Sequence, residues 1–133
     1  MAANTSPIFP LTPSIATGSL NAATALTTRT PITGTTGLTL LTATSTNGTR
    51  IDSITVKGQG TTVASNVFIW IYNGTNSYLY DEFDVTAITA ANTTDSFSLS
   101  RTYATLVLPP TYQLYVSQTV QTNVTVVAFG GTY

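Results

Sequence analysis

From residue 21 to the end of the chain, short runs of β-branched and aromatic residues recur, and Gly, Asn or Pro separates them. No stretch sustains the 3.6-residue period of an amphipathic helix, and only residues 87–91 could form a helical turn. Threonine accounts for 30 of the 133 residues and favours extended backbone, because its branched side chain fits a pleated surface. The sequence therefore predicts an all-β protein.

The spacing of these runs predicts eight or nine strands. They are placed approximately at residues 22–30, 38–44, 50–57, 66–72, 78–86, 96–101, 104–108, 112–119 and 123–129. Asn47-Gly48 and Asn73-Gly74 predict tight turns, while Pro109-Pro110 and Gly130-Gly131 are expected to end strands. Strands of this number and spacing indicate a two-sheet antiparallel β-sandwich, jelly-roll-like, over residues 21–133, with a closed barrel as the alternative.

Several of these strands alternate apolar and polar residues, as expected where one face is buried. The predicted core consists of Ile51, Ile54, Val56, Leu106, Leu108, Leu114, Val116, Val124 and Val126.

The first 20 residues differ from the rest of the chain. Pro7, Pro10 and Pro13 are spaced so that they disfavour both a helix and a sheet ladder, so residues 1–20 are predicted to form an extended arm. The apolar residues of this arm are Ile8, Phe9, Leu11 and Ile15. They favour docking on a neighbouring protein or on the body of the chain; a disordered tail is the alternative.

The chain has few charged residues, so its surface carries few ions. A folded 14.0 kDa chain exposes roughly 6,700 Å², and this one has only nine charged residues, four basic and five acidic. A surface solvated by hydroxyls and amides is cheap to desolvate, because few ions must lose their water. This favours packing against another protein, although a Thr-rich soluble domain has the same composition.

Composition also disfavours several partners and locations. Four basic residues and a net charge of −1 cannot neutralise a phosphate track, so no nucleic-acid partner is expected. No run approaches the roughly 18 apolar residues of a spanning helix, and residues 1–14 lack a signal peptide pattern, so no membrane partner and no secretion are expected. The chain has no Cys, which excludes disulfides and thiolate metal sites.

Catalytic chemistry is not expected. The chain has neither His nor Cys, the residues most often used as a general base or an activated nucleophile near neutral pH. Asp81, Glu82 and Asp84 could supply oxygen ligands to a hard cation together with Asn73 and Asn76. However, three acids at these positions of a strand do not share one face, which favours solvated or arginine-paired acids. We therefore expect no enzymatic activity, no cofactor and no metal.

The strand predicted at residues 66–72 is apolar on both faces. Its alternate residues Val67, Ile69 and Ile71 lie on one side. Phe68, Trp70 and Tyr72 lie on the other, and if the aliphatic side faces the core, this aromatic side needs a cover. The arm, a second subunit or a partner surface could provide it. With Tyr78 and Tyr80, the same rings could instead form a platform for stacking sugars.

Three stretches resemble a known family: RIDSITVKGQGTTVASNVFIWIYNGTNSYLYDEF at residues 50–83, LVLPPTYQLYV at 106–116 and VVAFGG at 126–131. They resemble small virion proteins of tailed bacteriophages that decorate or cement the capsid shell, and the resemblance covers about residues 21–133. It implies a jelly-roll-like sandwich on the outer capsid surface, at junctions between capsomers. The implied partners are the major capsid protein and one or two further copies of the chain, in a dimer or trimer.

The sequence thus predicts a structural virion protein that stabilises an assembled capsid. The residues expected to make protein contacts are Ile8, Phe9, Leu11, Phe68, Trp70 and Tyr72. The alternative is a carbohydrate- or receptor-binding module of a phage fibre or tail, with Trp70 and the tyrosines as stacking surfaces.

Overall fold

A computed structural model describes residues 12–21 and 25–133 of the chain. These residues form two antiparallel sheets packed face to face, which confirms the predicted β-sandwich. The ten strands are β1 (Thr12–Ser19), β2 (Ile32–Thr33), β3 (Thr39–Thr42), β4 (Thr49–Gly58), β5 (Ser65–Tyr72), β6 (Asn76–Val85), β7 (Ser98–Thr102), β8 (Val107–Leu108), β9 (Gln113–Gln118) and β10 (Val124–Thr132). Within the described ranges there is no helix that could cross a membrane.

The order of the strands is that of a jelly roll. Sheet A has the order β1-β10-β4-β7, with β8 also paired to β4, and sheet B has the order β2-β6-β5-β9-β3. If the two-residue strands β2 and β8 are set aside, eight strands remain. The first of these pairs with the last, the second with the seventh, the third with the sixth and the fourth with the fifth. This pairing describes a long hairpin rolled into two sheets, as in a jelly roll.

The core lies between the two sheets and is formed by the inward residues of both. All nine predicted core residues are buried. The core cluster also contains Leu20, Leu41, Val67, Ile69, Phe83, Val85, Phe97 and Ala128. The alternation in the sequence therefore identified the inner face of sheet A well, because that sheet is buried on one side only.

The N-terminal boundary of the sandwich differs from the prediction. Thr12–Ser19, which was assigned to the arm, is a strand that pairs with β10 along its whole length. Pro13 is compatible with this pairing. The amide of Leu20 donates to the carbonyl of Val124 at 3.0 Å. The even-numbered residues of β1 therefore direct their backbone N–H and C=O groups towards β10, and the nitrogen of the odd-numbered Pro13 points away from β10. The predicted contact residues Ile8, Phe9 and Leu11 lie outside the described residues.

Two other strand predictions were wrong. Residues 25–30 form no strand, and Ala25 makes only an isolated bridge to Gln118. Gly130-Gly131 does not end β10, which continues to Thr132 through a bulge after Phe129. At this bulge, a Cβ on Gly130 would overlap the carbonyl oxygen of Arg50. Glycine therefore allows the close approach of β10 to β4 rather than ending the strand.

Replacing Gly130 tests this close approach. Gly130→Ala forces the backbones of β10 and β4 apart, and we expect a loss of about 3 kcal/mol in the free energy of unfolding, measured by chemical denaturation. Gly18→Ala in β1 is the matched control, because a Cβ there would meet its nearest neighbour at 3.5 Å, an ordinary contact. Equal stabilities of the two variants would contradict the account.

Candidate functional site

The aromatic face of β5 is covered within the chain. Phe68 and Trp70 are both 0% exposed, so the expectation that they present an open contact surface is wrong. They lie outside the core cluster between the sheets, which contains Val67 and Ile69 from the other side of β5. Of the three predicted contact residues on β5, only Tyr72 is partly exposed.

The cover is the segment of residues 25–33, which we call the covering segment. It starts beside β9, where the amide of Leu26 donates to the carbonyl of Gln118 at 2.8 Å. It then crosses β5, where the guanidinium of Arg29 lies 5.0 Å from the centre of the Phe68 ring and pairs with Glu82 at 2.5 Å. It ends at the far edge of sheet B, where Ile32–Thr33 pairs with β6. The second face of β5 is therefore closed by a piece of the same chain.

Trp70 is fixed in this layer by a hydrogen bond and a ring contact. Its indole Nε1 donates to the hydroxyl of Ser117 at 2.9 Å, and its ring meets Phe68 edge-on with centroids 6.2 Å apart. Tyr72 packs in the same manner against Tyr115, at 5.7 Å. A buried indole with a satisfied N–H stabilises the fold and cannot stack on a sugar.

Substitution of Trp70 separates these two roles. Trp70→Ala should lower the free energy of unfolding by about 3–5 kcal/mol, because it leaves a cavity and an unpaired Ser117 hydroxyl. Tyr80→Ala is the control, since Tyr80 is 44% exposed and its loss should change stability by less than about 1 kcal/mol. Denaturant unfolding followed by circular dichroism measures both. A Trp70→Ala variant as stable as the parent would show that the indole is not packed in this way.

The three acids of the DEFD stretch do not converge. Asp81 pairs with Arg101 and accepts a hydrogen bond from the hydroxyl of Tyr103 at 2.7 Å. Glu82 is paired with Arg29, and Asp84 accepts from the amide of Asn66 at 2.5 Å. In the part of the chain that the structure describes, no group of three acidic residues could hold a metal ion together.

Asp81 nevertheless lies at the centre of a polar and aromatic cluster at the side of the sandwich where β6 faces β7. Arg101 pairs with Asp81 and lies over the ring of Phe83, with its guanidinium carbon 4.6 Å from the centroid. The rings of Tyr80 and Tyr103 are 5.9 Å apart. Burial and the hydrogen bond to the Asp81 carboxylate raise the pKa of the Tyr103 hydroxyl above its ordinary value.

The raised pKa of Tyr103 predicts a loss of stability at alkaline pH. Above about pH 10 Tyr103 ionises in the unfolded chain but stays protonated in the folded chain. Its contribution to stability is therefore complete below that pH and declines as the pH rises towards the folded pKa. Denaturant unfolding between about pH 9 and about pH 11 should show a steeper decline for the parent than for Tyr103→Phe. Parallel declines would contradict this assignment.

The outer face of sheet A is open, in contrast to that of sheet B. Its outward residues are Ile15, Thr17 and Ser19 from β1, Thr125, Val127 and Phe129 from β10, Ser53, Thr55 and Lys57 from β4, and Ser98, Ser100 and Thr102 from β7. We call this set the hydroxyl face. Lys57 is the single charged residue of this set, and Thr55 and Ser100 share a hydrogen bond of 2.6 Å. Nearer the start of β4, Arg50 and Asp52 are also exposed and pair with each other at 2.6 Å. Sequence reasoning did not select this face, although the alternation of β4 and β10 already predicted which residues point outward.

The hydroxyl face has an apolar corner. Ile15 and Phe129 are cross-strand neighbours of β1 and β10, and they are 66% and 41% exposed. Ile15 is the most exposed of the large apolar side chains in the described residues. A pair of adjacent exposed apolar side chains at a sheet edge is a frequent feature of contact sites.

A small pocket lies on the inner side of sheet A, between β1, β10 and the connection from β3 to β4. It has about 120 Å³ of free space and is lined mainly by small residues, including Ser14, Ala16 and Ala128. Pockets for drug-sized ligands usually measure about 300–1,000 Å³. The open sheet face is therefore the larger candidate for binding.

Comparison of the chain with family models, with curated proteins and with solved structures finds no match. The resemblance to capsid-decorating proteins therefore stays a prediction from sequence.

Proposed function

We propose that this protein is a structural virion protein that binds the outer surface of an assembled phage capsid and stabilises it. Its partners would be the major capsid protein and other copies of the chain, and it would have no enzymatic activity. The observation that carries the proposal is the hydroxyl face, a four-stranded surface left open by the fold, whose charges are Lys57 and, nearer the start of β4, the exposed ion pair of Arg50 and Asp52.

The composition of this face suits it to extended protein contact. Threonine and serine hydroxyls keep it wetted in the free protein, and each can exchange a water for a partner group at small cost. A surface with many ions would lose more on desolvation. Ile15 and Phe129 add an apolar corner where burial contributes directly to the binding free energy.

Stabilisation would follow from mass action. A protein that binds the assembled shell but not its free subunits shifts the equilibrium towards assembly by its binding free energy. Each contact need bury only about 800 Å² per partner, because many identical sites act on one shell.

The predicted contact residues divide into two groups under this proposal. Ile8, Phe9 and Leu11 remain proposed contacts, in an arm that ends at Leu11 rather than at residue 20, and so does the partly exposed Tyr72. Phe68 and Trp70 are fully buried, and Phe68 contacts Arg29 of the covering segment, so they are no longer proposed as contacts. The hydroxyl face takes their place.

Binding to purified shells tests the face. We expect the parent protein to co-sediment with assembled shells of its particle, but not with free major capsid protein, and to raise the temperature at which the shells disassemble. Thr102→Glu places a charge on the hydroxyl face and should weaken shell binding by about tenfold or more. Thr93→Glu, in the exposed loop before β7, is the matched control. Equal binding by both variants would refute a role for the face.

A truncation tests the arm separately. Deleting residues 1–11 keeps β1 and should leave the unfolding transition unchanged while reducing shell binding, because it removes Ile8, Phe9 and Leu11. A deletion that extends to residue 20 would also remove β1 and expose β10, so it would not isolate the arm. Full binding by the shorter truncation would show that the arm makes no contact.

One observation favours the alternative function, a carbohydrate- or receptor-binding module. Tyr80 is 44% exposed, beside Tyr103, Arg101 and Asp81, and an open ring beside charged hydrogen-bonding groups can stack on a sugar. A glycan array would reveal this activity as saccharide-specific binding that is lost in Tyr80→Ala and kept in Tyr78→Ala. Binding that survives both substitutions would exclude this site.

A further inference from the structure

β1 is an edge strand of sheet A and pairs with β10 on one side only among the described strands. Leu20 donates to Val124, and the register of β1 with β10 is continuous from Thr12 to Ser19. The backbone N–H and C=O groups of the even-numbered residues of β1 therefore hydrogen-bond to β10, whereas those of Ile15, Thr17 and Ser19 point away from it. Among the described strands, none pairs with β1 on that side.

We propose that this edge pairs with the same edge of a second copy of the chain, so that sheet A continues across a two-fold dimer. This dimer gives a structure to the self-association that is part of the proposed function, and it rests on the proposed function in that respect alone. It requires no shell, so it can fail or succeed independently of capsid binding.

The sequence of β1 suits antiparallel self-pairing. With the two-fold axis at Thr17, Thr17 lies opposite its own copy and Ile15 lies opposite Ser19 of the second chain. All these residues offer both a donor and an acceptor, so three paired positions give six backbone hydrogen bonds. Pro13, the edge residue that lacks a donor, falls beyond the paired positions.

The features that usually protect an edge strand are scarce here. Natural edges are often blocked by inward or flanking charges, especially lysine. β1 has the sequence TPSIATGS, which contains no charged residue, and its only protective residue is Pro13 near its start. An uncharged strand has no repulsion to overcome when it meets its own copy.

Apolar side chains on the same side of the sandwich support this occupant. Ile15 and Phe129 flank the edge on sheet A, and the 43% exposed Leu40 lies on β3, the edge strand of sheet B beside β1. Gly18 brings β1 close to β3, with its Cβ position 3.5 Å from the Leu40 carbonyl oxygen. A dimer across this side would remove apolar surface from water in addition to pairing the backbones.

The test measures the oligomeric state of the full chain without shells. In sedimentation velocity over a range of concentrations, the parent should form dimers. Thr17→Lys places two ammonium groups opposite each other at the axis and should raise the dimer dissociation constant by at least about tenfold. Thr102→Lys makes the same substitution on β7, at the opposite edge of sheet A, and should leave the dimer unchanged.

Cross-linking tests the register. Because the chain contains no Cys, Thr17→Cys introduces a single thiol, which a short bis-maleimide should link to its copy in high yield. Thr102→Cys should remain uncoupled.

Three results would overturn the proposal: a parent that stays monomeric at every concentration, a dimer broken by Thr102→Lys rather than by Thr17→Lys, or equal coupling of the two cysteines. A monomeric parent would overturn the dimer even if Thr17→Lys lost shell binding, because the Thr17 side chain also belongs to the hydroxyl face.

Discussion

The architecture depends on covering both faces of β5. Val67 and Ile69 face the core between the sheets, while Phe68 and Trp70 face away from it, and all four are fully buried. Large aromatic side chains bury about 150–250 Å² each, which corresponds to roughly 4–6 kcal/mol per residue by area. Burial of this size offsets part of the entropy cost of ordering the covering segment over the outer face of sheet B.

This cover makes the sandwich asymmetric. Sheet B has the core on one side and the covering segment on the other, and Arg29 closes that side by its contact with Phe68 and its pair with Glu82. Sheet A has the core on one side and solvent on the other. The aromatic residues of β5 therefore complete the fold of the chain itself, and hydroxyl-bearing strands are left exposed. This is the reverse of the arrangement that the aromatic pattern of β5 predicts.

The sequence predicted the elements whose signals are local. Alternation identified β4, β9 and β10, and Asn73-Gly74 correctly predicted the turn between β5 and β6, where the Asn73 side chain accepts from the amide of Asn76 at 2.8 Å. The sequence did not predict features that depend on contacts between residues far apart in the chain. Pro13 predicts the absence of a strand, but in the structure its nitrogen lies on the side of β1 that does not pair with β10. Gly130 predicts the end of β10, but in the structure it allows the carbonyl of Arg50 to approach closely. The sequence pattern predicts that Phe68 is exposed, because the residue that lies over its ring, Arg29, is about 40 positions earlier in the chain.

The two proposed contacts, the hydroxyl face and the edge of β1, both depend on the pairing of β1 with β10. A jelly roll pairs its first strand with its last, so among the described strands β1 pairs only with β10. The strand that completes the hydroxyl face is thus also the strand whose outer backbone groups pair with no other described strand. In an edge-to-edge dimer the faces of the two copies would lie on the same side of one continuous, twisted sheet. Because the charges on β4 are few, Lys57 and the Arg50–Asp52 pair, doubling the area would add little charge repulsion between the copies.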